Sequence, residues 1–232
     1  RGNDRDHKVG QLMANGGRIR LNLRAKWLLG YTMLVVFAAG AMAFGLYYRI
    51  RQDQRAALQQ RLVDIVSFSA PLVDGDFHAL IRSAEDAGSS FHRVLTTRLE
   101  DIRGTSQVIR HIYTLRQNPD GSWMYVVDVG AESPAAIGDP FLKESSVLAG
   151  GMAWIDSPRV EDVLSVGEDG SATLSGYAPI IDQFQNLDGV LGIEIDASTV
   201  IASEKQARVT ALLSVLITVP FAWLLGYWLV NK

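Results

Sequence analysis

Two uncharged apolar stretches constrain what this chain can fold into more than any other feature of its sequence. The first runs over residues 27–48 and the second over residues 209–230, 22 residues each. An α-helix rises about 1.5 Å per residue, so either stretch is long enough to cross a hydrocarbon core of roughly 30 Å. Trp and Tyr occur near the ends of both stretches, where their amphipathic rings prefer the membrane interface. The sequence therefore predicts two transmembrane helices.

The distribution of charge predicts how the chain crosses the membrane. Residues 1–26 contain seven Lys and Arg against two Asp, a net charge of +5, and basic residues accumulate on the cytoplasmic flank of a span. We therefore expect this segment in the cytoplasm. Residues 231–232 return to the same side, where a further cytoplasmic region is expected to begin. Residues 49–208, with a net charge of −9, are then expected outside, and this acidity argues against nucleic acid as a partner.

A cleaved signal peptide is the alternative interpretation of the first stretch. Ala39-Gly-Ala41 and Ala41-Met-Ala43 resemble the small-residue sites at which such peptides are cut. The apolar run continues through Leu46, however, and the basic segment before it is long. Both features favour an uncleaved helix.

The chain begins with Arg and stops two residues after the second stretch, a pattern that we expect of a fragment of a longer protein.

The first part of residues 49–208 is predicted to be helical. Leu58, Leu62, Ile65 and Leu72 form one apolar stripe, which indicates that the first membrane helix continues beyond the bilayer. Pro71 and Gly75 predict where this helix ends. A second helix is predicted to begin near Ser90, and a helical spacing of apolar residues continues as far as Tyr113.

The second part is predicted to be mainly strands. Residues 118–121, Asn-Pro-Asp-Gly, lie between two runs rich in β-branched and aromatic residues, which is typical of a hairpin. Residues 122–129 are a predicted strand, and a stretch rich in Gly and Pro follows to about residue 160. Residues 166–181 and 189–196 supply at least two more strands. Residues 198–208 are predicted to form a short helix that leads into the second span, which completes a single α+β domain.

Five short segments in this order resemble a known family. They are VDGDFHAL (73–80), IRHIYTLRQNPDGSWMYVVDVG (109–130), AIGDPF (136–141), SGYAPIID (175–182) and GVLGIEIDAS (189–198). Their order between two membrane spans resembles a Cache or PDC-type sensor, the PAS-like ligand-binding domain that bacterial receptors hold outside the membrane. The resemblance implies a PAS-like antiparallel sheet with long N-terminal helices, flanked by two transmembrane helices.

The resemblance also implies a function. Such a protein would lie in the bacterial cytoplasmic membrane, sense a small ligand outside and signal to a cytoplasmic output domain after Lys232, with a histidine kinase or nucleotide cyclase favoured. The aromatic-Arg-Trp-Tyr motif by which some double-Cache receptors hold an amino acid is not found here, so an amino-acid ligand is not implied. A membrane-anchored module that binds another protein without signalling remains the alternative function.

The predicted ligand pocket lies between the sheet and the loop that crosses it. Strand alternation and family position direct seven residues towards it: Arg110, Tyr113, Tyr125, Asp128, Trp154, Tyr177 and Asp196. A pocket with one cation, acids and aromatic walls would suit a small polar metabolite. The alternative is that these residues have structural roles, with Tyr125 and Trp154 in the core and Asp128 and Asp196 capping strand ends.

Catalytic and metal sites are not predicted. The sequence has no Cys and no nucleophile or phosphate-loop motif, so we expect no catalytic residue and no cofactor within the chain. His78 lies near Asp74 and Asp76 and could contribute to a cation site. We prefer Asp76 as the N-cap of a helix that starts at Phe77, and expect no metal.

Small residues in the first span predict helix association. Ala39, Ala41, Ala43 and Gly45 form overlapping pairs four residues apart, which permit close packing of membrane helices. A lipid-facing surface without a partner helix is the alternative. Together with the amphipathic helix that follows, this pattern favours a parallel homodimer.

Overall fold

The computed structural model describes residues 23–130, 133–167 and 171–230, which form two compact units. One unit is residues 48–207. The other comprises the apolar segments within residues 1–47 and 208–232.

The apolar unit consists of the first part of helix α1 (Leu23–Ser69) and the second part of helix α4 (Ser198–Val230). Within the described ranges, α1 is the one helix that is long and apolar enough to cross a membrane, and the apolar part of α4, Leu212–Trp228, is shorter. A Cβ atom on Gly226 would lie 3.0 Å from the Leu28 side chain and 3.2 Å from that of Tyr31. The glycine therefore allows close packing at this point of α4, and the topology with two spans stays a prediction.

The helices of residues 48–207 begin and end at residues that favour those boundaries. Helix α1 ends at Ser69, and a 3₁₀ turn containing Pro71 follows, as the sequence predicts. Helix α2 spans Gly75–Leu80. Asp74 caps it, since its carboxylate accepts hydrogen bonds from the backbone N–H groups of Asp76 and Phe77. The prediction that Asp76 is the cap is wrong, because the helix starts two residues earlier than expected.

Helix α3 spans Ser90–Gly104, and its predicted start near Ser90 is confirmed. Its N-cap is Ser89, which accepts a hydrogen bond from the backbone N–H of His92. The helical spacing predicted to continue to Tyr113 is wrong beyond Gly104, because Ile109–Gln117 is strand β1. Apolar residues on alternate positions of a buried strand can match a helical spacing by chance.

Within the described ranges, the sheet is antiparallel, with four long strands and two short ones. Besides β1 these are β2 (Trp123–Val129), β3 (Arg159–Val160), β4 (Ser165–Val166), β5 (Ala172–Ile181) and β6 (Leu187–Asp196). The strand order is β2-β1-β6-β5-β3, and β4 also pairs with β5. The predicted hairpin between β1 and β2 is confirmed, with Gly121 at a φ of 88° in its turn. The last long strand, β6, therefore lies in the middle of the sheet beside the first.

Each face of the sheet has its own apolar cluster. On one face, α1 and α3 contribute Leu62, Leu95 and Leu99 to a core that includes Ile112 of β1. On the other face, Tyr113 of β1 packs with residues of the segment between β2 and β3. This arrangement confirms the predicted α+β fold with a long N-terminal helix and an antiparallel sheet.

Candidate ligand-binding site

Three aromatic rings form the centre of the face that lies under the β2–β3 segment. Tyr113 of β1, Tyr125 of β2 and Phe141 of the segment have ring centroids 5.4–5.6 Å apart. Gly192 of β6 pairs with Tyr113 across the sheet, and a Cβ atom there would lie 2.2 Å from Cε2 of that ring. The ring of Tyr113 thus occupies space that only a glycine leaves open.

A polar cluster adjoins these rings on the two central strands. Glu194 Oε1 accepts a hydrogen bond from the Tyr113 hydroxyl at 3.2 Å. It also forms an ion pair with Lys143, whose Nζ lies 2.8 Å away. Lys143 Nζ also donates to Ser175 Oγ at 3.0 Å, and Ser175 lies directly opposite Glu194 in the register of β5 and β6. The side chains of Glu194 and Lys143 are 12% and 27% exposed. The pair is therefore shielded from water more than a surface ion pair is.

Tyr177 places a buried hydroxyl group in the same region. Its side chain is completely buried, and its hydroxyl has no hydrogen-bond partner among the described residues. The hydroxyls of Ser145 and Tyr113 are close enough to influence it, but neither meets hydrogen-bond geometry with it. Burial raises the pKa of Tyr177 to about 12, so the hydroxyl stays protonated. An unsatisfied buried hydroxyl costs about 1–3 kcal/mol, and a bound molecule could satisfy it.

Glu161, which follows β3, holds the covering segment on the sheet. Its buried carboxylate accepts hydrogen bonds from the hydroxyls of Ser145 and Ser146 and from the backbone N–H groups of Ser146 and Val147. A groove of about 650 Å³ opens beside it, and Lys143 and Ser175 line this groove. Lys143 and Ser175 of the polar cluster are therefore accessible from this groove.

The structure brings four of the seven predicted site residues together. Tyr113, Tyr125 and Tyr177 line the region, and burial raises the pKa of Tyr125 to about 12. Asp128 pairs with Tyr113 in the register of β1 and β2, and its side chain is 2% exposed. Its carboxylate contacts the ring of His111 and accepts a hydrogen bond from the N–H of Ala135 at 2.7 Å. Asp128 is thus a buried support at the edge of the aromatic cluster.

The other three predicted residues lie elsewhere. Arg110 and Asp196 form a partly exposed ion pair of 3.4 Å with each other, and Asp196 also accepts a hydrogen bond from the N–H of Ser198 at the start of α4. Trp154 is 56% exposed, and the guanidinium of Arg159 lies 4.7 Å from the centre of its ring. All three are at the surface of the domain.

Four polar residues of this region were not predicted from the sequence: Lys143, Glu161, Ser175 and Glu194. Glu194 had a usable signal, since it is the one charged residue in an otherwise apolar stretch from Gly189 to Ile195. Lys143 and Glu161 lie outside any periodic pattern, so nothing in the sequence places them on the sheet.

A second buried cluster surrounds His78 and has a structural role. Its Nδ1 donates to Asp188 Oδ2 at 2.5 Å, and Arg116 donates to the same oxygen and to the carbonyl of His78, both at 2.6 Å. Burial lowers the pKa of His78. These contacts attach α2 to β1 and β6. Within the described ranges, no group of three or more His, Asp or Glu side chains could hold a metal ion.

Comparison with known proteins gives similarity at the level of the fold. No family model matches the sequence, and no curated protein matches it. Solved structures with a similar fold include the sensor domain of E. coli DcuS, at 16% identity, a TM-score of 0.41 and coverage of 66% of this chain and 97% of that one. The sensor domain of the V. cholerae histidine kinase DctB is 15% identical, with a TM-score of 0.46 and coverage of 69% and 58%.

A third similar structure is the ligand-binding domain of the Campylobacter jejuni chemoreceptor Tlp3 in complex with 4-methylisoleucine. It is 14% identical, with a TM-score of 0.40 and coverage of 78% of this chain and 63% of that one. The chain thus spans less than two thirds of the length of that domain. At such low identities and TM-scores, neither ligand nor mechanism follows from the likeness, and both have to be inferred from the residues of this chain.

Proposed function

We propose that residues 48–207 are the ligand-sensing domain of a bacterial membrane receptor, with the ligand bound under the segment between β2 and β3. The observation that carries this proposal is the buried, unsatisfied hydroxyl of Tyr177 beside the polar cluster of Lys143, Ser175 and Glu194. A fold rarely retains such a group unless something else satisfies it. The adjoining groove, which Lys143, Ser145 and Ser175 line, would bring a small molecule to the neighbours of this hydroxyl.

The connection between β6 and α4 supports a role in signalling. Glu194 lies on β6, which ends at Asp196, and α4 begins at Ser198, so Ala197 alone separates strand from helix. A ligand that displaces β6 would therefore act on α4 without a flexible linker. Such a ligand shifts the receptor between two states only by its difference in affinity for them.

The remaining parts of the proposal concern topology and assembly. In the inner membrane, residues 27–48 of α1 and residues 209–230 of α4 would be the two spans, with both termini cytoplasmic. A parallel homodimer would transmit the shift to a histidine kinase or nucleotide cyclase after residue 232. No catalytic role is proposed for the chain itself. The groove and the unsatisfied hydroxyl favour sensing over a module that only binds another protein, since a flat contact surface needs neither feature.

A thermal-shift screen of the whole chain in detergent micelles tests the proposal. A small polar metabolite that binds at a concentration of 100 Kd stabilises the folded state by about 2.7 kcal/mol, which raises Tm by roughly 5–10 °C for a domain of this size. The shift should shrink in Tyr177→Phe and persist in Trp154→Phe, whose side chain lies outside the site. A screen without a stabilising compound, or a shift that Tyr177→Phe leaves unchanged, contradicts the proposal.

A further inference from the structure

The central strands carry two acceptors that bind an ammonium group, and in this structure the group is that of Lys143. Ser175 Oγ and Glu194 Oε1, the two acceptors, lie opposite each other on adjacent strands. Tyr113 of β1, the strand on the other side of β6, donates to the same oxygen of Glu194 and so fixes its position. The acceptors therefore belong to a rigid sheet, whereas the cation is supplied from outside it.

Lys143, which supplies the cation, can be displaced more easily than the acceptors on the strands. Lys143 lies in an irregular stretch, residues 141–147, and its side chain borders the open groove. Ordering a long lysine side chain costs up to about 2 kcal/mol of conformational entropy, which weakens its hold on the site. A free ammonium entering through the groove would compete for the same acceptors.

The charge around the site favours a cationic ligand. Glu161 and Glu194 are both within the region, Glu144 lines the groove, and Asp128 lies at the edge of the aromatic cluster. Among the described residues, the basic side chains on this face are Lys143, His111 and Arg159, and Arg159 lies opposite Tyr177 in the register of β3 and β5 with its guanidinium at Asp156 and Trp154. A ligand carboxylate could pair with Lys143 but would meet these acids, whereas an ammonium would be attracted by them.

The same stretch of chain supplies an aromatic ring. Phe141, two residues before Lys143, packs on Tyr113 and Tyr125. Residues 141–143 thus present a benzene ring and an ammonium together, and moving them aside would expose two tyrosine rings next to Glu194. Such rings attract an ammonium as well as an apolar body. The unsatisfied hydroxyl of Tyr177 is a further acceptor in the same cluster.

We propose that the ligand is a small primary amine with an aromatic or apolar body, whose ammonium displaces Lys143 from Glu194 and Ser175. This inference rests on the proposed sensing function and names the ligand class. Binding would release Lys143 from the sheet while Glu161 keeps residues 145–147 in place, and it would leave β6, which leads into α4, in contact with the ligand instead of with Lys143.

Titration calorimetry of the whole chain in detergent micelles tests this inference. Three probes share one body and differ in their head group: 2-phenylethylamine, 3-phenylpropionate and 2-phenylethanol. We expect the amine to bind most tightly. Lys143→Met removes the competing ammonium, so the amine should bind at least about tenfold more tightly, and Glu194→Gln should weaken it by about tenfold or more. Arg110→Met removes one positive charge away from the site and should leave the affinity unchanged.

Several results would overturn the inference. One is the absence of amine binding in both the wild type and Lys143→Met. Another is tight binding of 3-phenylpropionate that Lys143→Met abolishes, which would make Lys143 an anion-binding residue. If Glu194→Gln does not fold, Ser175→Ala replaces it and should weaken binding of the amine a few-fold. An unchanged affinity in Ser175→Ala would then contradict the inference. A compound of another class whose thermal shift depends on Tyr177 would preserve the sensing function while excluding amines.

Discussion

Replacing Gly192 with Ala tests whether the aromatic cluster depends on the missing side chain in β6. A Cβ atom at this position would lie 2.2 Å from Cε2, 2.7 Å from Cζ and 2.8 Å from Cδ2 of Tyr113. These distances are far below van der Waals contact, so the ring has to move. It has little room, since it is completely buried and packs on Tyr125 and Phe141.

The expected loss of stability follows from two terms. Overpacking of a dense core costs about 1–3 kcal/mol. Displacing the ring of Tyr113 also breaks its hydrogen bond to Glu194, and bonds to charged groups contribute about 1.5–3 kcal/mol. Allowing for partial relaxation, we expect Gly192→Ala to lower the free energy of unfolding by about 3 kcal/mol, or Tm by roughly 6–12 °C.

Urea unfolding in detergent micelles, followed by circular dichroism, measures this loss. Gly104→Ala is the matched control, because Gly104 is the last residue of α3 and a Cβ atom there meets nothing within 4 Å. The control should be neutral or stabilised by about 0.5 kcal/mol. If Gly192→Ala costs less than about 1 kcal/mol, Tyr113 is not confined as the structure describes.

Three further predictions concern buried polar groups. Tyr177→Phe should raise the unfolding free energy of the ligand-free protein by about 1 kcal/mol, since it removes an unsatisfied hydroxyl; a lower value in urea titration would contradict this. The pKa of His78 is lower in the folded protein, so the unfolded chain binds more protons and stability should fall as pH drops below about 6.5. His78→Gln should reduce that slope, and an unchanged slope would exclude His78 as its source. Asp128→Ala should cost about 2 kcal/mol, because it removes a buried carboxylate and leaves two partly buried donors unpaired, whereas Arg110→Ala should cost less than about 1 kcal/mol; equal losses would refute the difference in burial.

The fold could largely be predicted because local signals and global patterns agree. Pro71, the hairpin turn at residues 118–121 and the apolar strands each specify a local structure. The error beyond Gly104 arose where a buried strand follows a helix and the apolar residues of β1 continue the helical spacing. Periodicity alone does not distinguish the two when the strand is covered on both faces.

The site could be predicted only in part, for a different reason. Tyr113, Tyr125 and Tyr177 were found because aromatic residues on regular strands face one side of the sheet predictably. Lys143 and Glu161 reach the same region from irregular chain, and their partners are set by tertiary packing. Arg110 and Asp196 were misplaced because both lie where regular pairing changes, at a register shift in β1 and at the last residue of β6.

Amide hydrogen exchange with and without a bound compound tests most directly that a ligand binds under the β2–β3 segment. The compound with the largest thermal shift is added to the whole chain in detergent micelles. Exchange should change in residues 141–150 and in the central parts of β5 and β6 around Ser175 and Glu194. A change confined to α3, or no change in these segments while the compound is bound, would contradict a binding site in this part of the domain.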